Sequence, residues 1–465
     1  MRIVNGSAAA RTELLRRPPM DTAEVPQSML DRLRALFGEP LTPEQAVARI
    51  IRDVRERGDD AIRDYTQRID GVAMDALEVP RHEIEAAYKR VERPVVKALN
   101  LAAERVRAFH QRGLPHGWMD LEAGLGEMVR PLERIGVYIP GGTAAYPSTV
   151  LMTVVPARVA GVRDVALATP ARKGGEVPPV VLVAADIAGV DRVYRMGGAQ
   201  AIAALAYGTE SVPRVDKIFG PGNLFVMLAK RQVFGAVGID ALQGPTETLI
   251  IADDSADPTI CAADMLAQAE HDVLAAPLLI TTSADLAEQV RRELDRQIES
   301  LERKEIAAGA LGNRGGIAVV DTLTEAVGLA NEYGPEHLCL LVRDPWAWVG
   351  RVKNAGGVFL GEGSPEVFGD YVAGPSHVMP TSGTARFSAP VNIRDFFKVT
   401  SVIALREDKL TELAEAASVL ARAEGLTAHA RAAELRLSRR PAARKIPAPM
   451  PTPKRDSFKS EPAKG

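Results

Sequence analysis

The chain carries only two cysteines, Cys261 and Cys339, and they are too far apart in sequence to form a CxxC pair. One disulfide is conceivable, but the pattern favours reduced, buried thiols in a cytoplasmic protein. Aromatic residues make up 5% of the sequence, and no apolar run approaches the roughly 20 residues a membrane span needs. The start, MRIVNGSAAARTELLRR, has no apolar stretch of the kind a secretory signal requires. Charge of one sign is missing too. The 57 Lys and Arg nearly balance the 60 Asp and Glu, for a net charge of −3. Nothing therefore points to nucleic acid or to an anionic membrane. A G-x-G-x-x-G fingerprint is absent as well.

What is present is a 465-residue chain, 46% hydrophobic and 25% charged, long enough for several globular units. From about Leu41 to His110 the pattern is helical and charged, as in PEQAVARIIRDVRERGDDAIRDYTQRID. The cluster YIPGGTAAYPS, Tyr138 to Ser148, marks a change of character. After it DVALATP reads as a strand, VVLVAADIAGV as a helix, DRVYRM as a strand and AQAIAALAYG as a helix. A second alternating series begins at TLIIADD and runs through PTICAADMLAQAEH, PLLITT, ADLAEQVRRELDRQ, GIAVV, TEAVGLANEYG and HLCLLV. Such alternation predicts parallel sheets with right-handed crossovers, in two units with the smaller inserted into the larger. FFKVTSVIAL then reads as a strand, and one long helical pattern covers Lys409 to about Leu437. The proline- and charge-rich residues 439–465 are expected to be disordered.

Seven histidines are unevenly placed. His82, His110 and His116 sit in the charged N-terminal region and read as solvated surface groups. In QAEHD, Gln268 and His271 are three apart and share a helical face, so together they can chelate a divalent metal. Alone, such a pair is more often a solvated surface pair. In GPEHLCL, Glu336 and His337 stand at the mouth of a strand, where neighbours point to opposite faces. An imidazole suits removal of an alcohol proton near neutral pH, and the acid suits a second proton transfer. The bland alternative is a capping Glu beside a half-buried His. The segment GDYVAGPSHVMPTSGTAR, Gly369 to Arg386, reads as an ordered loop offering Asp370 and His377 as ligands or substrate contacts. Glu424 and His429 lie in AEGLTAHA and read by themselves as a solvated acid and a surface imidazole. The turns FGPGN and MGGAQ each follow a strand and open a helix, where backbone N–H groups can receive a pyrophosphate or simply make a tight turn.

Taken together, GVYIPGGTAAYPSTVLM, GGAQAIAALAYGT, FGPGN, GPTETLIIAD, QAEHD, PEHL, GDYVAGPSHVMPT and EGLTAHA resemble the histidinol dehydrogenase family, in its order, from roughly Glu44 to Leu437. The resemblance implies an α/β fold of two Rossmann-like parallel-sheet units with small N- and C-terminal helical extensions, in an intertwined homodimer. It divides the chain into an N-terminal extension (1–29), a first domain with the catalytic residues (30–135 and 245–390) and an inserted second domain (136–244). A C-terminal arm (391–438) serving the partner's site and the tail (439–465) complete it. It implies an NAD-dependent, two-step oxidation of L-histidinol through the aldehyde to L-histidine, with one zinc ion per subunit. Zinc ligands fall on Gln268, His271, Asp370 and His429, and the catalytic pair on Glu336 and His337. Substrate contacts fall on Thr246, Gln268, His271, His337, Asp370, His377, Glu424 and His429, and cofactor contacts on Tyr138, Gln200 and Asn223.

The chain departs from the family in having GPTE, with Thr246, where serine is frequent; the hydroxyl is kept and a methyl added. The tail lies outside the shared region. Two rivals share the scaffold: a paralogous dehydrogenase of another polar diol or amino alcohol, and a non-catalytic zinc- or nucleotide-binding protein. Glu424 and His377 argue against the first, and the intact Glu336–His337 pair against the second.

Overall fold

The structure, a computed structural model, describes residues 1–17, 26–141, 145–172 and 174–438. The tail 439–465 and its expected disorder lie outside the described residues. The chain divides into two compact units, residues 1–115 with 129–398, and residues 116–128 with 399 onward.

Two parallel sheets build the first unit. The larger joins β1 (Ile3–Asn5), β9 (Glu247–Ala252), β10 (Ala276–Thr281), β11 (Gly316–Val319), β12 (His337–Leu341) and β13 (Gly357–Leu360). Its strand order is β1-β11-β10-β9-β12-β13. The smaller joins β4 (Arg134–Tyr138), β5 (Asp164–Thr169), β6 (Arg192–Arg195), β7 (Lys217–Phe219) and β8 (Gly238–Ile239), in the order β6-β5-β4-β7-β8. The central strands are buried along their whole length, as expected of parallel sheets covered on both faces. Period-two alternation then sorts the side chains: Ile250 and Cys339 enter one core, Leu249, Ile251, Leu338 and Leu340 the other. Cys261 and Cys339 are free and buried.

The anticipated strand–helix alternation runs from β4 to β13. Some helix starts have a local cause, such as the capping box of Thr42 and Gln45 ahead of the helix Pro43–Arg57. That helix and its neighbour Asp59–Asp70 contribute Val47, Ile50, Ile62 and Tyr65 to a core shared with Ala166, Ala168 and Tyr194 of the five-stranded sheet. The sequence did not disclose β1, which pairs with β11 through Ile3 and Ile317.

His110 corrects an expectation. Read as solvated, it is 2% exposed, on the face of the helix Arg93–Gln111 that also buries Leu99, Ala103 and Val106. Those positions follow the helical repeat, and His110 continues it. His82 and His116 are exposed, as expected.

In the second unit, β2 (Trp118–Asp120) pairs antiparallel with β3 (Leu125–Pro131), in a sheet ordered β14-β3-β2, with β14 spanning Phe397–Ile403. The single helical pattern expected over Lys409–Leu437 is two helices, Glu407–Ala423 and Thr427–Ser438. Gly425 takes φ +77° between them, a left-handed backbone that ends the first helix. Glu424 lies at this break and His429 in the second helix, and both are exposed.

Candidate active site

Glu336 and His337 meet at the backbone of one residue. The Glu247 N–H donates to Glu336 Oε2 (2.9 Å), and the Glu247 carbonyl faces His337 Nδ1 (3.1 Å). Glu336 precedes β12 rather than lying in it, so strand alternation does not send the two side chains apart. His337 Nδ1 is 3.9 Å from Glu336 Oε2. Thr246 Oγ1 also donates to Glu336, at 2.6 Å. The hydroxyl kept in GPTE is therefore used here.

Electrostatics follow from burial and neighbours. Burial pushes the Glu336 carboxyl up to about 7, against the opposing pull of His337, Thr246 and the Glu247 N–H. Burial disfavours a charged His337, but Glu336, Asp370 and Glu366 outweigh it and hold the imidazole pKa well above its ordinary value. A carbonyl and an ionised carboxylate can only accept, so His337 donates from Nδ1 to Glu247 and from Nε2 to Asp370 Oδ1 at 3.3 Å. Burial works against the Asp370 carboxylate, yet the bond from His337 and the imidazoles of His337, His377 and His271 keep its pKa below the usual carboxylate range.

Asp370 sits on the short helix Glu366–Tyr371, not in the loop where the sequence placed it. His377 does lie in the loop. Its ring is held at both ends, by the Asp370 carbonyl at Nδ1 (2.6 Å) and by Thr149 Oγ1 at Nε2 (3.0 Å). Gln268 lies in the last turn of the helix Pro258–Ala269, whereas His271 falls just past its end. The Gln268 amide is 1% exposed, with Oε1 toward Thr246 and the Glu247 N–H and Nε2 toward Glu366 Oε1 (3.1 Å). His271 is exposed as a residue, yet enough protein surrounds its ring to lower its pKa, with Asp370 opposing.

Three participants escaped the sequence reading: Glu366, Thr149 and Glu247. Burial pushes the Glu366 carboxyl up to about 8 while it accepts from Thr248. A signal for it existed, because Glu366 and Asp370 are four apart and share a helical face.

Tyr138, Gln200 and Asn223 all line one cavity of about 1400 Å³. It lies outside the carboxyl ends of β4, β5, β6 and β7, where strand order reverses at β4, the usual crevice for a nucleotide. The Tyr138 hydroxyl accepts from the Gly198 N–H (3.1 Å), and Asn223 caps the helix Leu224–Val233. Gly220, in FGPGN, holds φ +110°, and a Cβ there would meet the Tyr138 carbonyl at 2.1 Å. Gln200 Oε1 is buried without a partner. Ala145 lines the same cavity, and Thr149, four residues on, contacts His377. The cavity and the Glu336–His337 cluster thus share one helix start.

Among the described residues, no group of three or more His, Cys, Asp or Glu side chains stands together as a metal cage. The first unit does bring Asp370 and His271 within electrostatic reach of each other, with Gln268 hydrogen-bonded to Glu366 at the base of the helix that carries Asp370. An ionised carboxylate and an imidazole biased to neutrality are the forms that bind zinc, so these donors fit such an ion. His429 belongs to the second unit.

Among the described residues, no helix is long and apolar enough to cross a membrane. The histidinol dehydrogenase family model matches residues 40–437. The chain is 54% identical over 441 residues to a histidinol dehydrogenase of Deinococcus radiodurans, covering 94% of this chain and all of that one. It is 53% identical over 405 residues to that of Thermus thermophilus, covering 87% and 96%. A crystal structure of histidinol dehydrogenase from Elizabethkingia anophelis superposes with a TM-score of 0.86 at 33% identity, over 94% of this chain and 98% of that one. The parallel-sheet α/β fold, the ordered motifs and these likenesses agree: the chain is an oxidoreductase that belongs to the histidinol dehydrogenase family.

Proposed function

We propose that the protein oxidises L-histidinol through L-histidinaldehyde to L-histidine in the cytoplasm, using two NAD and one zinc ion per subunit. The observation that carries this reading is the Glu247 backbone holding Glu336 and His337 together beside Asp370. NAD would supply the hydride acceptor, and zinc, which Gln268, His271, Asp370 and His429 of the partner subunit would hold, would supply a grip on the substrate's nitrogens. His337, its Nδ1–H fixed on Glu247, takes the hydroxyl proton at Nε2 in each oxidation once that nitrogen has released the proton it shares with Asp370. Glu336 takes a proton from the water that adds to the aldehyde, and a carboxyl near pKa 7 suits that work at neutral pH. His377, held between the Asp370 carbonyl and Thr149, steadies the helix that carries the Asp370 carboxylate beside the substrate. Tyr138, Gln200 and Asn223 receive the dinucleotide in the 1400 Å³ cavity.

Homodimerisation, with Glu424 and His429 serving the partner's site, belongs to the same proposal. Its support is the helical pair of the second unit, which leaves Leu413, Val419, Leu420, Leu426 and Leu437 exposed on a single chain. The test is turnover. Purified protein given L-histidinol and NAD should yield L-histidine, identified by mass spectrometry. Absence of NADH, or a product that stops at the aldehyde, rejects the reading.

A further inference from the structure

The side chains of Arg17 and Glu247 have no part in the steps above, yet the Glu247 backbone is tied to both residues that do. Glu247 opens β9 with a side chain 0% exposed, and a buried carboxylate without a partner is strongly destabilising. Arg17, 230 residues earlier, provides that partner through a two-pronged contact: Nε to Oε1 at 2.7 Å and Nη2 to Oε2 at 2.6 Å. The guanidinium lies 3.5 Å from the Tyr333 ring centroid and donates to the Tyr333 carbonyl, so its own position is fixed. The clamped residue then presents its N–H to Glu336 and its carbonyl to His337.

We propose that Arg17 is a positioning residue for the reaction: its fork on Glu247 fixes the peptide that aims Glu336 and His337. This rests on the reading of that pair as the proton-transfer groups. Neither Arg17 nor the Glu247 side chain touches the reacting atoms in this account. Their effect passes through one peptide unit, and misplacement of reacting groups by an ångström can cost about 100-fold in rate. Because His337 serves both oxidations and Glu336 the second, both should slow, while substrate and dinucleotide binding, made mostly by other residues, should change little.

The experiment compares Arg17→Met, Glu247→Gln, Arg17→Lys, the Arg17→Met/Glu247→Gln double variant and His337→Asn in the full-length protein. It measures kcat, KM for L-histidinol and NAD, and the thermal midpoint. Arg17→Met and Glu247→Gln should each lower kcat about 10- to 100-fold with both KM values within about twofold. The double variant should be no slower than the worse single, since the two act as one unit. Arg17→Lys should regain part of the lost kcat. A lowered midpoint with wild-type kcat in Arg17→Met overturns the proposal, as do losses that multiply in the double variant. Should Arg17→Met fail to fold, Glu247→Gln decides, because it leaves no buried anion: wild-type kcat there overturns the clamp. An inactive His337→Asn beside a fully active Arg17→Met sinks the clamp alone. A fully active His337→Asn sinks the pair reading and the clamp with it.

Discussion

His337 Nε2 faces Asp370 Oδ1 at 3.3 Å, so the imidazole proposed for proton transfer touches the carboxylate proposed to bind zinc. One substitution should therefore register twice. Asp370→Asn keeps the shape but loses the charge that His337, His377 and His271 all face. Zinc affinity should fall about 10- to 100-fold, and histidinol turnover at least as much. Elemental analysis after dialysis, set beside NADH formation, checks both. Unchanged zinc content in an inactive Asp370→Asn removes Asp370 from the ligand set.

Separating the pair should separate the steps. His337→Asn should slow both oxidations by about 100-fold or more, since neither hydroxyl proton then has a positioned acceptor. Glu336→Gln should spare hydride removal from the alcohol and slow oxidation of supplied histidinaldehyde. Stopped-flow traces started from alcohol or from aldehyde distinguish them. Aldehyde oxidation at the wild-type rate in Glu336→Gln contradicts the role given to Glu336.

The cavity makes its own prediction. Gln200 Oε1 is buried there without a partner, so a dinucleotide donor would satisfy it. Gln200→Ala should weaken NAD binding about tenfold, read by fluorescence titration without substrate. An unchanged Kd places the dinucleotide elsewhere.

His110 should set part of the acid sensitivity. Burial lowers its pKa to about 4 from the usual 6.5, and Nε2 has no partner. Between those pH values the unfolded chain binds a proton that the folded one refuses. The stabilisation is thus complete above 6.5 and is lost as pH falls toward 4. His110→Leu should flatten the dependence of unfolding free energy on pH in that window by about 1–2 kcal/mol. An unaltered slope in urea titrations at pH 4.5 and 7 rules this out.

Much of this was legible in sequence for physical reasons. Buried parallel strands such as TLIIA and HLCLL must be continuous apolar runs, so their alternation with helices was plain. The glycine turns of FGPGN and MGGAQ marked where helices start above the cavity. What stayed hidden was set by distance in sequence or by single backbone angles. β1 has three residues and pairs with a strand more than 300 positions away. The helical run after Lys409 hid a break that one left-handed glycine makes. His110 was assigned to solvent from its charged neighbours, although its spacing from Leu99, Ala103 and Val106 put it on the apolar face. Glu247 sat inside a recognised string, but its importance lies in main-chain atoms, which sequence does not show.

The central claim is that one site performs two oxidations with Glu336 and His337 aimed from a single peptide. The direct measurement is the number of NADH formed per L-histidinol consumed, with L-histidine and free aldehyde quantified in the same samples. The account predicts two NADH for each L-histidine, with almost no aldehyde in solution. A ratio of one, with aldehyde accumulating in step with NADH, would contradict it.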